Sequence, residues 1–187
     1  MGTSAGGVSA LSTILQALPE DYSLPVIVVQ HRSSDLNTTL EEVLQYKCGI
    51  RIKQADEKEF IKAGTVYFAP ADYHLLVEKN RSLSLSFDMR VNFSRPSIDI
   101  LFDTAAEAYG GKLIGIIMTG ANGDGADGIR TIYRYGGVTI AQDPDEAQYP
   151  TMPQAAIDTS CVRHIFDLGQ IVNYLLAVGG KETFTDE

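Results

Sequence analysis

The stretch Pro25-Val26-Ile27-Val28-Val29-Gln30-His31 decides the fold class of this chain. Its apolar part is short, continuous and β-branched, which is typical of a strand that helices cover on both faces. Upstream of it lies the glycine-rich stretch Gly2-Thr3-Ser4-Ala5-Gly6-Gly7, followed by apolar residues at helical spacing until Pro19. This order predicts a helix that leads into a buried parallel strand, with His31 at the carboxyl end of that strand.

Strand and helix patterns alternate further along the chain. A second helix, with Asp35 as its cap and Leu36 on its apolar face, leads to strand character around Ile52. Residues 65–69 predict another strand. Residues 74–77 and 83–87 flank Lys79-Asn80-Arg81 and predict an antiparallel hairpin.

The same alternation continues from Pro96 to the end of the chain. Strands are predicted at residues 113–118, 138–141 and 162–166, and helices at residues 98–109, 126–133, 152–158 and 171–176. Together these patterns predict an α/β protein with a doubly wound, mostly parallel sheet, helices on both faces and an added antiparallel hairpin. In such a three-layer α/β/α fold the functional crevice lies outside the carboxyl ends of the strands.

The beginning of the chain conflicts with this architecture. The Gly2 to Gly7 stretch has the pattern of a turn after a strand, yet only Met1 precedes it. We therefore expect one domain over residues 1–187 whose first, central strand is missing. Each buried backbone group left unsatisfied would cost about 1–3 kcal/mol.

Composition narrows the function classes. The net charge of -9 and the pI near 4.7 argue against nucleic acid, because phosphate binding requires a basic surface. Cys48 and Cys161 show no metal-ligand spacing, so we expect reduced thiols, a cytoplasmic protein and no structural metal. No apolar run approaches the roughly 20 residues that span a bilayer.

Three polar residues follow predicted strands or glycine-rich turns, and they supply the parts of a nucleophilic site. Ser4 would be the nucleophile, His31 its base, and Asp124 the carboxylate that orients the imidazole. The helix that begins after Ser4 directs free N–H groups towards a developing oxyanion, and Ala5 is the first such donor. The loop Gly120-Ala121-Asn122 would supply a second donor if it approaches Ser4.

Other interpretations of the same residues remain open. Ser4 could be a helix cap, and Asp124 could be a turn residue. An ordinary α/β-hydrolase orders its triad as Ser, acid, His, which would require His164 with Asp124 or Asp143. A third alternative is a module that binds an anion or nucleotide at the Gly2 to Gly7 loop, without catalysis.

Several short motifs occur together in an order that resembles the CheB-type chemotaxis protein-glutamate methylesterases, in their C-terminal catalytic domain. The resemblance spans the chain from Gly2 to about Gly169. Its motifs are Gly2-Thr3-Ser4-Ala5-Gly6-Gly7, Val29-Gln30-His31, Val66-Tyr67-Phe68-Ala69-Pro70 with His74-Leu75, Pro96-Ser97-Ile98-Asp99-Ile100-Leu101-Phe102, Met118-Thr119-Gly120 through Asp124-Gly125-Ala126, and Met152-Pro153-Gln154-Ala155-Ala156.

The resemblance implies a serine hydrolase that removes methyl groups from glutamate γ-methyl esters of methyl-accepting chemotaxis receptors and, in some members, deamidates glutamines. It places the nucleophile on Ser4, the base on His31 and the acid on Asp124, with oxyanion donors at the N–H groups of Ala5 and Ala121. It implies no cofactor and no metal. Ala121 departs from the usual methionine of the family, and the regulatory receiver domain of the family has no counterpart in residues 1–187.

Overall fold

The computed structural model describes residues 1–32 and 40–180. The strands are β1 (Gly2–Thr3), β2 (Val26–Gln30), β3 (Arg51–Gln54), β4 (Thr65–Phe68), β5 (His74–Val77), β6 (Leu83–Ser86), β7 (Ile114–Ile117), β8 (Val138–Gln142) and β9 (His164–Phe166). The helices are α1 (Gly7–Ala17), α2 (Leu40–Gln45), α3 (Ile98–Tyr109), α4 (Ala126–Arg134), α5 (Thr151–Asp158) and α6 (Leu168–Gly179). Asp35 and Leu36, predicted in the second helix, lie outside the described residues.

Seven strands form one parallel sheet in the order β3-β4-β2-β1-β7-β8-β9, and β5 pairs with β6 as a separate antiparallel hairpin. The predicted doubly wound sheet with an added hairpin is therefore confirmed. The strand order reverses direction at β1, which is the position where an open α/β sheet leaves a crevice.

Each face of the sheet has its own apolar core, as continuous apolar strands require. Leu11, Ile14 and Leu175 are among the buried side chains on one face, where α1 contacts α6. Phe102 and Ile129 are buried on the opposite face, where α3 and α4 pack together. Within the described ranges, no helix combines the length and the apolar character needed to cross a bilayer.

The first strand has only two residues, Gly2 and Thr3, and it occupies the centre of the sheet. Gly2 pairs with Val29 of β2 and with Ile117 of β7, so both neighbours retain a partner at the carboxyl end. A cavity of about 290 Å³ lies next to Met1, lined in part by the amino-terminal residues of β2 and β7. Gly2 and Thr3 therefore form a short strand at the central position that we expected to be empty, because Gly2 pairs with a strand on each side.

Candidate active site

Ser4 and His31 emerge from neighbouring strands in matching register. Thr3 of β1 pairs with Gln30 of β2, and the His31 N–H donates to the Thr3 carbonyl at 3.1 Å. The Gln30 side-chain amide then donates to the carbonyls of both Ser4 (2.9 Å) and His31 (2.8 Å). Parallel pairing and this bridging amide thus hold Ser4 and His31 side by side at the crevice.

The His31 imidazole contacts the Asp124 carboxylate, with His31 Nε2 2.8 Å from Asp124 Oδ2. Asp124 is 1% exposed and also receives hydrogen bonds from the start of α3. Its Oδ2 accepts the Ile98 N–H at 2.7 Å, and its Oδ1 accepts the Ser97 hydroxyl at 2.9 Å and the Asp99 N–H at 3.3 Å. The carboxylate therefore caps α3 from outside that helix while it orients the histidine.

The pKa values of two carboxyl groups at the start of α3 are shifted in opposite directions. Burial by itself would raise the pKa of Asp124, but the hydrogen bonds from His31, Ile98 and Ser97 outweigh burial and hold that pKa below its usual value. Asp99 is 6% exposed, and burial, with the nearby Asp124 charge, raises the pKa of Asp99 to about 7. Asp124 therefore remains a carboxylate, whereas Asp99 retains its proton close to neutrality.

The contact with Asp124 fixes which imidazole nitrogen is free to act as a base. Because Nε2 faces a carboxylate, it carries the proton, and Nδ1 of the neutral ring keeps its lone pair. The Ser94 hydroxyl lies 3.5 Å from His31 Nδ1. The Ser4 hydroxyl has no hydrogen-bond partner among the described residues and is therefore not tied to another protein group.

Thr119 joins the loop after β7 to the loop that carries Ser4. Its carbonyl accepts the Ser4 N–H at 3.0 Å and the Thr3 hydroxyl at 2.8 Å, and its own hydroxyl donates to the Ala5 carbonyl at 2.9 Å. The N–H groups of Ala5 and Ala121 have no acceptor within residues 1–32 and 40–180. Two backbone donors without a protein acceptor thus belong to loops that are hydrogen-bonded to each other. An oxyanion hole needs two such donors aimed at one point.

A cleft of about 310 Å³ opens beside the imidazole. Its lining residues are His31, Arg32, Arg90, Phe93, Ser94, Arg95 and Pro96. Ser4 is not among them, so the cleft is bounded by the predicted base and not by the predicted nucleophile. Among the described residues, no group of three His, Cys, Asp or Glu side chains is arranged to hold a metal ion.

His164 lies far from this arrangement. It belongs to β9, three strands away from β1, or about 14 Å at the usual strand spacing. Its ring stacks on Phe166 at 5.0 Å and contacts Tyr174 at 5.8 Å. Asp143, the other acid of that alternative triad, accepts the Asp145 N–H within its own loop. The alternative triad through His164 is therefore not brought together.

Some residues of the site were not identified from sequence. The sequence motifs contain Ser97 and Gln30 but indicate no role for either residue, yet both bond directly to triad candidates. The Pro96-Ser97 pair before an apolar helical stripe is an N-cap signal that points to this helix start. No local pattern marks Ser94, Arg90 or Arg95.

Comparisons with known proteins identify the family to which this chain belongs. The family model described as CheB methylesterase matches residues 1–175. The chain belongs to the CheB methylesterase family. Its fold agrees with the crystal structure of the Thermotoga maritima CheB methylesterase catalytic domain, with a TM-score of 0.90, 32% identity and coverage of 95% of each chain.

Two relatives illustrate the breadth of the family. A putative protein-glutamate methylesterase/protein-glutamine glutaminase of Leptospira interrogans is 47% identical over 176 residues, which cover 94% of this chain and 91% of that protein. The protein-glutamate methylesterase/protein-glutamine glutaminase of Archaeoglobus fulgidus is 37% identical over 182 residues, and the match spans 52% of its length. Membership in the CheB methylesterase family favours an ester hydrolase over the anion-binding module and the small-ester α/β-hydrolase considered above.

Proposed function

We propose that this chain is a serine hydrolase that demethylates glutamate γ-methyl esters on methyl-accepting chemotaxis receptors. The observation that carries the proposal is the 2.8 Å contact between His31 Nε2 and Asp124, at the end of the strand next to Ser4. A buried carboxylate, an oriented imidazole and an adjacent serine hydroxyl are the groups that acyl transfer needs. The names of the relatives support the glutamate ester as substrate.

In the proposed first step, His31 Nδ1 takes the proton of the Ser4 hydroxyl as Ser4 Oγ attacks the ester carbonyl. Nδ1 exchanges its 3.5 Å contact with Ser94 for one with Ser4. Asp124 stabilises the imidazolium that forms. The N–H groups of Ala5 and Ala121 receive the negative charge on the carbonyl oxygen, each worth about 10²–10³-fold in rate.

In the proposed second step, the imidazolium gives its proton to the leaving methoxide, and methanol departs from a glutamyl ester of Ser4. Water then attacks this acyl-enzyme while His31 Nδ1 accepts its proton, which restores Ser4 and releases a glutamate carboxylate. The same groups would release ammonia from a glutamine side chain. We therefore include glutamine deamidation in the proposal.

The proposed partners are the receptors themselves, and the proposed location is the cytoplasm. The location is supported by Cys48 and Cys161, which are both free thiols. No organic cofactor takes part in the steps above.

The test is methanol release from a peptide that contains a glutamate γ-methyl ester and from methylated receptor. Ser4→Ala should lose about 10⁶-fold in kcat, the scale for removal of a triad serine. Ser9→Ala, at an exposed serine of α1, is the matched control and should keep wild-type activity.

Two histidine variants are compared in the same assay. His31→Gln should be as inactive as Ser4→Ala, while His164→Gln should turn over normally. The opposite result, with His164 essential and His31 dispensable, would overturn the assignment of the base.

A further inference from the structure

The cleft beside His31 is cationic in a chain with a net charge of -9. Three arginines line it, Arg32, Arg90 and Arg95, and none of its lining residues is acidic. The other basic residues are scattered along the chain, so the cleft has a local positive charge although the chain as a whole is negative. A cationic cleft next to a catalytic histidine favours anionic groups close to the reacting bond.

The three arginines differ in how far their charge is already neutralised. Arg32 forms a two-pronged ion pair with Glu41, at 2.5 and 3.0 Å, and is therefore committed to the fold. Arg90 is 59% exposed, and its ion pair with Asp72 is loose, at 3.5 Å. Arg90 can therefore exchange Asp72 for another carboxylate at little cost.

Arg95 has no carboxylate within ion-pair distance in the described part of the chain. Its guanidinium lies 3.7 Å above the Phe87 ring and donates to the carbonyls of Phe87 (3.1 Å) and Asp88 (3.0 Å). These contacts hold the side chain in place without cancelling its charge. Arg95 is thus a positioned cation at the cleft.

The loop that carries these arginines is held by a buried histidine. His74 is fully buried in β5, and its Nε2 donates to the Met89 carbonyl at 3.0 Å while its Nδ1 accepts the Ser97 N–H at 3.1 Å. One imidazole therefore fixes both ends of the segment that contains Arg90 and Arg95. Phe93 lies between them in the sequence and is 96% exposed, so its ring is available for an apolar contact with a substrate. We call Arg90, Phe93 and Arg95 the arginine rim.

We propose that the arginine rim selects esters that are flanked by carboxylates, so that the preferred substrate is a methylated glutamate within an acidic segment. This inference rests on the proposed function. The rim receives neighbouring side chains of the substrate, since the cleft is lined by His31 and not by Ser4. Arg90 binds a flanking carboxylate, Arg95 attracts it, and Phe93 covers the aliphatic part of the segment.

The test compares two peptides with the same central glutamate γ-methyl ester, one flanked by aspartates and the other by asparagines. For the wild type, kcat/KM from methanol release should be about three- to fivefold higher for the aspartate peptide, as expected for an exposed ion pair. The difference should lie in KM and decrease at 1 M salt, because salt screens exposed charges.

Charge reversal makes the test sharper. Arg90→Gln should bring the ratio of the two kcat/KM values close to one, and Arg90→Glu should invert it. Arg134→Glu is the matched control, because Arg134 is an exposed arginine at the last turn of α4, outside the cleft, and its reversal changes the net charge equally. The control should keep the wild-type ratio.

The outcomes separate this inference from the proposed function. Hydrolysis of both peptides at equal kcat/KM would refute the proposed selectivity of the arginine rim while leaving the methylesterase proposal intact. Hydrolysis of neither peptide nor of methylated receptor would overturn the proposed function. The affinities of both peptides for the Ser4→Ala variant, measured by calorimetry, then test the arginine rim without catalysis. Equal affinities would refute its preference for flanking carboxylates, and tighter binding of the aspartate peptide would support that preference.

Discussion

Replacement of Asp124 by asparagine tests the link between the stability of the fold and the proposed chemistry. The asparagine amide keeps the shape of the carboxylate but replaces one acceptor oxygen by an NH₂ group. Asp124 Oδ2 accepts the Ile98 N–H, and Oδ1 accepts the Asp99 N–H. In either orientation of the amide, the new NH₂ group therefore faces a backbone N–H at the start of α3.

The magnitude follows from these contacts. An unsatisfied buried N–H costs about 1–3 kcal/mol, and the loss of a negative charge at a helix start adds about 0.3–1 kcal/mol. We expect Asp124→Asn to lower the free energy of unfolding by roughly 1–4 kcal/mol at pH 7. Without the carboxylate the imidazolium of His31 is no longer stabilised, so kcat should fall by about 10²–10⁴-fold.

The assays are urea unfolding and methanol release from the methyl-ester peptide. Asp143→Asn is the matched control, because among the described residues the Asp143 carboxylate accepts only the Asp145 N–H of its own loop, and it should stay within about 0.5 kcal/mol of the wild type. A folded-state pKa below the usual value means that Asp124 contributes stability above pH about 4 and loses it as the pH falls further. An Asp124→Asn protein with wild-type stability and turnover would refute the assignment of both roles.

Two further predictions concern titrating groups and the start of the sheet. Because the pKa of Asp99 is raised to about 7, its folded form holds a proton that the unfolded chain releases near pH 4, so its contribution to stability declines as the pH rises from 4 to 7. Melting temperatures measured across this range should show that Asp99→Asn removes the decline, and an unchanged pH profile would contradict it. Burial lowers the pKa of the Met1 amino group to about 5, so this group weakens the fold increasingly as the pH falls from 8 to 5. Three or four β-branched residues added before Met1 should raise the melting temperature at pH 6 by filling the 290 Å³ cavity, whereas the same number of glycine and serine residues should raise it less.

Much of the fold could be predicted because the signals are local. The continuous apolar run of β2 and the helical spacing of α1 and α3 each lie within a dozen residues, and burial on both faces follows from that periodicity. Ser4, His31 and Asp124 were predicted as site residues for a related reason, since each follows a strand or a glycine-rich turn. The strand-end rule predicts only that such residues share one edge of the sheet.

The sequence by itself therefore determined the three-layer architecture and the edge at which the polar residues gather. Only the tertiary structure decided that His31 uses Nε2 for Asp124, that Asp124 caps α3, and that Arg90 and Arg95 line the cleft beside the imidazole. The contact between His31 and Asp124 joins residues 93 positions apart. Such pairings depend on how the loops pack against one another. The hydrophobic pattern that specifies strands and helices carries no information about that packing.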